Sequence, residues 1–188
     1  MIVARLLLCL LLACALPAMA ARPALDVSVE RATTDARQVY SVSARGEGAA
    51  APAAVWRVLT DYDRMEEFVP DLKQARVLSR DGDRAVIEQF GSVHFLFFKR
   101  DIHLVVRAHE QPISRIDISL VDGDMKVYSC SWQLVPVPET GGTRIVYHGT
   151  LAPKFYVPGF LGANMIRSDI EKMMAAVLAR IDRPDQAG

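Results

Sequence analysis

The sequence has no excess of either charge: 22 Lys and Arg stand against 22 Asp and Glu in 188 residues. A chain so balanced has no basic footprint for nucleic acid. Cysteine is scarce, three in all, with Cys9 and Cys14 inside the first twenty residues and Cys130 alone beyond them. Without the leader, the chain has neither an internal disulfide nor a cysteine metal cluster. Stability then rests on an apolar core, for which the sequence supplies 51% hydrophobic residues. The four histidines, His94, His103, His109 and His148, show no metal-ligand spacing. There is no Gly-x-Ser-x-Gly elbow and no Gly-rich phosphate loop after a strand, since Gly141-Gly142 reads as a hairpin. No metal or cofactor is expected. No repeat, low-complexity tract or linker divides the chain.

What is present begins with an export signal. Arg5 precedes an uncharged apolar run, Leu6 to Leu16, and Pro17-Ala18-Met19-Ala20 supplies the small-x-small pattern cut by signal peptidase. The run is about 11 residues, whereas a membrane span needs roughly 20. Residues 1–20 are therefore expected to be a signal peptide cleaved after Ala20, and residues 21–188 a single exported, periplasmic domain. A lipoprotein acylated at Cys14 is the lesser alternative, on the loose match of Leu11-Leu12-Ala13-Cys14.

Two short alternating stretches, around Val27-Val29 and Val39-Ala44, predict strands. Pro52 opens a short helix with Val55, Leu59 and Tyr62 on one face. Thr60/Asp63 and Asp63/Glu66 have capping-box spacing and predict a second short helix ending near Pro70. A run of about six strands follows from Leu72 to Leu151, with turns at Asp81-Gly82-Asp83, Gln111-Pro112, Asp122-Gly123 and Gly141-Gly142. One face of each strand is apolar, so the antiparallel sheet is covered on one side. The cover is an amphipathic helix in which Ile166, Ile170, Met173, Val177 and Ile181 form a stripe that Met174 and Leu178 widen. The fold class is α+β. A sheet curled around a long C-terminal helix, with two short helices after the first core strand, tends to leave a cavity.

That order, together with Val55-Trp56-Arg57-Val58-Leu59-Thr60-Asp61-Tyr62, Phe68-Val69-Pro70-Asp71-Leu72, Ile87-Glu88-Gln89-Phe90-Gly91, Val121-Asp122-Gly123-Asp124, Trp132-Gln133-Leu134, Gly141-Gly142-Thr143-Arg144, Pro153 and Pro158, resembles the START-like (SRPBCC, helix-grip) superfamily. The nearest groups in that resemblance are the polyketide cyclase/dehydrase and coenzyme Q-binding START proteins. It covers about residues 38–182. It implies a helix-grip fold, with a curved antiparallel sheet of about six to seven strands around the last helix, and a pocket for a lipid, isoprenoid quinone or polyketide-like molecule. Ser129-Cys130-Ser131 departs from the glycine that family members often carry before the tryptophan.

The candidate pocket residues are Trp56, Tyr62, Phe68, Phe95, Tyr128, Trp132, Phe155, Phe160 and Met165; each alone reads more readily as plain core, but as a set near a cavity mouth they are the kind of large groups that line hydrophobic sites. Gln89, Arg100 and Asn164 are the polar residues that would orient a ligand head group. Phe155 to Leu161 is the candidate gate, or else a loop that touches membrane. The carboxylates Asp61, Asp63, Glu66 and Glu67 read as caps and a solvated face, and His103 as a surface residue. No acid, base and nucleophile converge, so the expected function is carriage, shielding or sensing of a hydrophobic small molecule without covalent catalysis. The alternatives are a cyclase/dehydrase-type enzyme using Arg100, Tyr128 or a histidine, and a protein- or membrane-interaction module. The expected partners are that hydrophobic ligand and a peripheral membrane contact, with no nucleic acid. Oligomeric state is not legible.

Overall fold

The computed structural model describes residues 25–34, 37–95 and 98–183, without the side chains of residues 34, 37, 95, 98, 159 and 160. The expected signal peptide and Cys14 lie outside the described residues. Eight strands form one antiparallel sheet: β1 (Asp26–Thr34), β2 (Arg37–Gly48), β3 (Leu72–Asp81), β4 (Arg84–Phe95), β5 (Phe98–Gln111), β6 (Arg115–Gly123), β7 (Met125–Val137) and β8 (Gly142–Pro153). The count is eight, not six to seven, because the N-terminal segment pairs along its whole length with β2, from Asp26↔Arg45 to Thr34↔Arg37. The spatial order is β1-β2-β8-β7-β6-β5-β4-β3. The sheet is therefore a hairpin joined to a six-strand meander through the β2–β8 pairing, and it stays open with β1 and β3 as edges.

Two helices and a 3₁₀ segment complete the chain. Helix α1 (Pro52–Thr60) starts on Pro52, whose missing N–H is no loss in a first turn. The second short helix is a 3₁₀ turn, Tyr62–Glu67. Its acids do not cap it as their spacing suggested. Asp63 accepts a hydrogen bond from the Val77 N–H at 2.7 Å, and Glu66 accepts one from the Ala75 N–H at 2.8 Å. These carboxylates satisfy outward N–H groups of the edge strand β3, which also carries two register shifts. Both features blunt an otherwise open edge.

Helix α2 (Gly159–Ile181) lies across the concave face. Its C-terminal half is fully engaged: Met174, Val177 and Ile181 are buried in one cluster with Val55, Leu59, Ile116 and Ile145. Ile166, Ile170 and Met173, further toward its N-terminus, are only half-buried. The sheet also loosens on that side. Strands β6 and β7 pair only from Arg115↔Gln133 to Ser119↔Ser129, and beyond that β6 stays with β5. Gly123 ends β6 at φ 125°, where an added Cβ would lie 2.3 Å from the His103 carbonyl oxygen.

Gly123→Ala is expected to cost about 2 kcal/mol, from backbone strain and the clash with strand β5. Urea unfolding should show a lower midpoint with an unchanged slope.

Candidate functional site

Where α2 stands off the sheet, two connected spaces open. An outer groove of about 250 Å³ runs between β4, β5, the start of β7 and the α2 face carrying Ile170 and Met173. An inner chamber of about 160 Å³ continues toward α1, walled by Leu59, Phe68, Trp132, Tyr147 and Val177. Val69, Leu72, Gln89, Tyr128 and Met173 line both and form the constriction between them. The alternation of the strands supplies these walls. Tyr128, Cys130, Trp132 and Leu134 project from one face of β7, and Ile145 and Tyr147 from the same face of β8.

The inner chamber has one polar cluster. The Cys130 thiol lies among the hydroxyls of Tyr147 and Tyr128, which act on it electrostatically. Tyr147 is opposite Trp132 and meets it edge-on, ring centroids 4.9 Å apart. Its hydroxyl leans over Gly149, the cross-strand partner of Cys130, where any Cβ would come within 2.8 Å of it. Glycine at that position is what lets the phenol reach the thiol. Burial pushes the Cys130 thiol up to about 11, although the two phenols oppose that shift. Cys130 and burial hold Tyr128 well above the ordinary phenol range. Burial, with Cys130 and Tyr128 beside it, does the same to Tyr147. All three groups are thus neutral donors at physiological pH, and a buried protonated thiol is an inert one.

The groove mouth is charged. Asp169 and Lys172 of α2 lie there 3.4 Å apart, and Asp71 faces His94 at 3.5 Å. Burial raises the Asp169 carboxyl; Lys172 and His94 oppose the shift and Asp71 adds to it.

Of the residues singled out by sequence, Phe68, Gln89, Tyr128 and Trp132 come together here. Others go elsewhere. Trp56 packs against the core from α1. Tyr62 is buried and donates to Glu110 at 2.9 Å, with Arg80 over its ring. Arg100 stacks on Phe155 at 4.5 Å, and Phe155 lines a separate surface hollow with Lys126, Lys154 and Tyr156. Asn164 is exposed, and Met165 is half-buried on α2. The side chains of Phe95 and Phe160 lie outside the described residues. His148 points outward to Ser43, His103 outward to Glu88, and Arg144 to Glu47. Leu59, Met65, Tyr147, Cys130, Met173 and Val177 were missed as lining. Their signal was the inward phase of β7 and β8 and the helical stripe, which read equally as plain core. Among the described residues, no three His, Cys, Asp or Glu gather to hold a metal, and no helix is long and apolar enough to cross a membrane.

A neutral thiol in this setting should alkylate slowly. At pH 8, iodoacetamide labelling of Cys130, followed by mass mapping of its peptide, is expected to be at least about 100-fold slower in the native protein than in urea.

Comparison with known proteins fits this geometry. A START superfamily protein from Mycobacterium smegmatis superposes with a TM-score of 0.67 at 16% identity, covering 76% of this chain and 97% of that one. The Zhui aromatase/cyclase from Streptomyces sp. R1128 gives 0.62 at 16% identity, covering 79% and 93%. Human StAR-related lipid transfer protein 5 gives 0.63 at 13% identity, covering 87% and 88%. At such identities the likeness is one of fold: a helix-grip, START-like architecture. No curated protein sequence matches the chain. The sequence model described as "Polyketide cyclase / dehydrase and lipid transport" matches residues 48–178, well over half of the chain and all the elements from α1 through most of α2. The chain belongs to that polyketide cyclase/dehydrase and lipid-transport family.

Proposed function

We propose that this protein is an exported domain that carries or shields a hydrophobic small molecule, such as a lipid, an isoprenoid quinone or a polyketide-like compound, in the space between its sheet and α2. The observation that supports binding over turnover is the chemistry of the inner chamber. Its titratable groups among the described residues are Tyr128, Cys130 and Tyr147, and all three are held protonated. Such a wall offers apolar surface and a few neutral donors, the make-up of a small-molecule pocket. Export rests on the residue pattern of Met1 to Ala20, and it restricts the ligand to molecules found outside the cytoplasm.

Native mass spectrometry of the protein purified from its own compartment should show a chain starting at Ala21 with a hydrophobe attached. The neutral probe N-phenyl-1-naphthylamine should bind the emptied protein. Met173→Trp, which fills the constriction, should weaken probe binding at least about tenfold with little change in the urea midpoint. Absence of both a copurifying hydrophobe and probe binding would overturn the reading.

A cyclase/dehydrase activity is the second reading. It is favoured by the two buried phenols, which could donate to a polyketone oxygen, and by the aromatase/cyclase among the structural neighbours. Turnover of a polyketone that is lost in Tyr128→Phe would select it.

Delivery from a membrane face fits the hollow beside α2. Tyr156 is 82% exposed there, and Lys126, Lys154 and Arg100 have no acidic partner among the described residues. An exposed aromatic ringed by cations suits an anionic lipid surface. Cosedimentation with vesicles of about 30% phosphatidylglycerol should fall at least about tenfold in a Lys126→Glu/Lys154→Glu variant and weaken with salt.

A further inference from the structure

The inward face of β4 reads Ala85, Ile87, Gln89, Gly91, Val93, and Gln89 is its polar member. Ala85 and Ile87 are 1% exposed. The Gln89 side chain lies at the constriction, lining both the groove and the chamber. Tyr128, the other polar side chain shared by the two spaces, has its hydroxyl beside the Cys130 thiol. The Gln89 amide has no hydrogen-bond partner among the described side chains. Gln89 is half-buried, and among the described residues no buried side-chain polar atom is left unpaired, so solvent reaches this amide in the open groove; a ligand seated against it displaces that water and must bond the amide in return.

Charge narrows what that ligand is. Among the described residues no Lys, Arg, His, Asp or Glu lines the inner chamber. Lys172 sits only at the groove and is already beside Asp169, while Asp71 adds a second carboxylate at the mouth. An anion seated at Gln89 would be desolvated with no counter-ion and would have passed two carboxylates to get there. A neutral oxygen meets neither cost, and either half of the amide can bond it.

We propose that Gln89 is the specificity-determining residue of the site: it takes an uncharged hydrophobe through a carbonyl, ester or hydroxyl oxygen and discriminates against the corresponding free acid. This assignment rests on the binding function proposed above. It differs from that reading in naming what the ligand must carry.

The test is displacement of N-phenyl-1-naphthylamine from the purified protein by three molecules of matched chain length: methyl laurate, laurate and dodecane. In the unaltered protein, methyl laurate is expected to displace the probe at concentrations at least about tenfold below those of laurate and dodecane, the size of effect expected when a buried polar group is paired or left unpaired. In Gln89→Leu the probe should still bind, and the ester's advantage over dodecane should shrink to about twofold or less. Gln89→Asn, which keeps the amide, should retain part of it. Displacement by laurate as strong as by the ester, or an ester preference that survives in Gln89→Leu, overturns the assignment and leaves the binding reading intact. Failure of the unaltered protein to bind the probe or any of the three overturns the binding reading itself.

Discussion

One α-helix is too narrow to cover this sheet. Eight strands at about 4.8 Å spacing make a surface about 35 Å across, and a helix with its side chains is about 10 Å wide. The inward side chains of the strands are mostly apolar and need cover, so the sheet must curl around α2. Register shifts at Leu72/Gln74, Val77/Ser79, Val105/Val106 and Met125/Val127 help it do so, because each bulge bends and twists its strand. The curl cannot be tight everywhere. The C-terminal half of α2 is clamped between β1-β2 and α1, with Met174 and Val177 fully buried. Toward its N-terminus α2 meets β2 at Gly162 against Tyr40, but Ile166, Ile170 and Met173 are only half-buried. The cavity is what remains.

The same constraint separates the residues that stabilise from the residues that can bind. Tyr62 has the composition of a ligand contact, but Glu110 occupies its hydroxyl, and Arg80, itself bonded to Glu110, lies over its ring. Tyr128 and Tyr147 line the chamber with their hydroxyls grouped around one buried thiol. Gln89 has no such partner, and it sits where the two spaces meet. The charged notch between the ends of α1 and α2 is the opposite case. Arg64 and Arg180 both meet Glu67 there, and Arg57 and Arg180 lie in last helical turns, where a cation offsets the helix dipole.

Much of the fold was legible because its periods are long and regular. The steps of four, three, four and four residues from Ile166 to Ile181 specify a helix, and the alternation in β5, β6 and β7 specifies strands, with Asp122-Gly123 marking a turn. The first strand was harder to weigh, since Val27 and Val29 are a short pattern that gains its weight only by pairing with β2. The site was legible in part. Phe68, Gln89, Tyr128 and Trp132 stood out by size or polarity, whereas Leu59, Met173 and Val177 look the same in sequence whether they touch another side chain or a ligand. The carboxylates misled for a physical reason: a carboxylate on a short helix can accept from its own helix or from a neighbouring strand, and only the packing chooses. Asp63 and Glu66 bond β3.

The sequence by itself determined which residues share a face of a strand or helix, because alternation and helical spacing are local properties of the backbone. It also showed balanced charge and a single cysteine beyond residue 20, which argue against nucleic-acid, disulfide and cysteine-metal readings of that part of the chain. The tertiary structure decided which inward residues have a neighbour and which have a space. That depends on how far a curled sheet can close on one helix, a sum over contacts distant in the chain. It made Cys130 a buried partner of two phenols, sent His148 and Arg100 away from the cavity, and left Gln89 facing it.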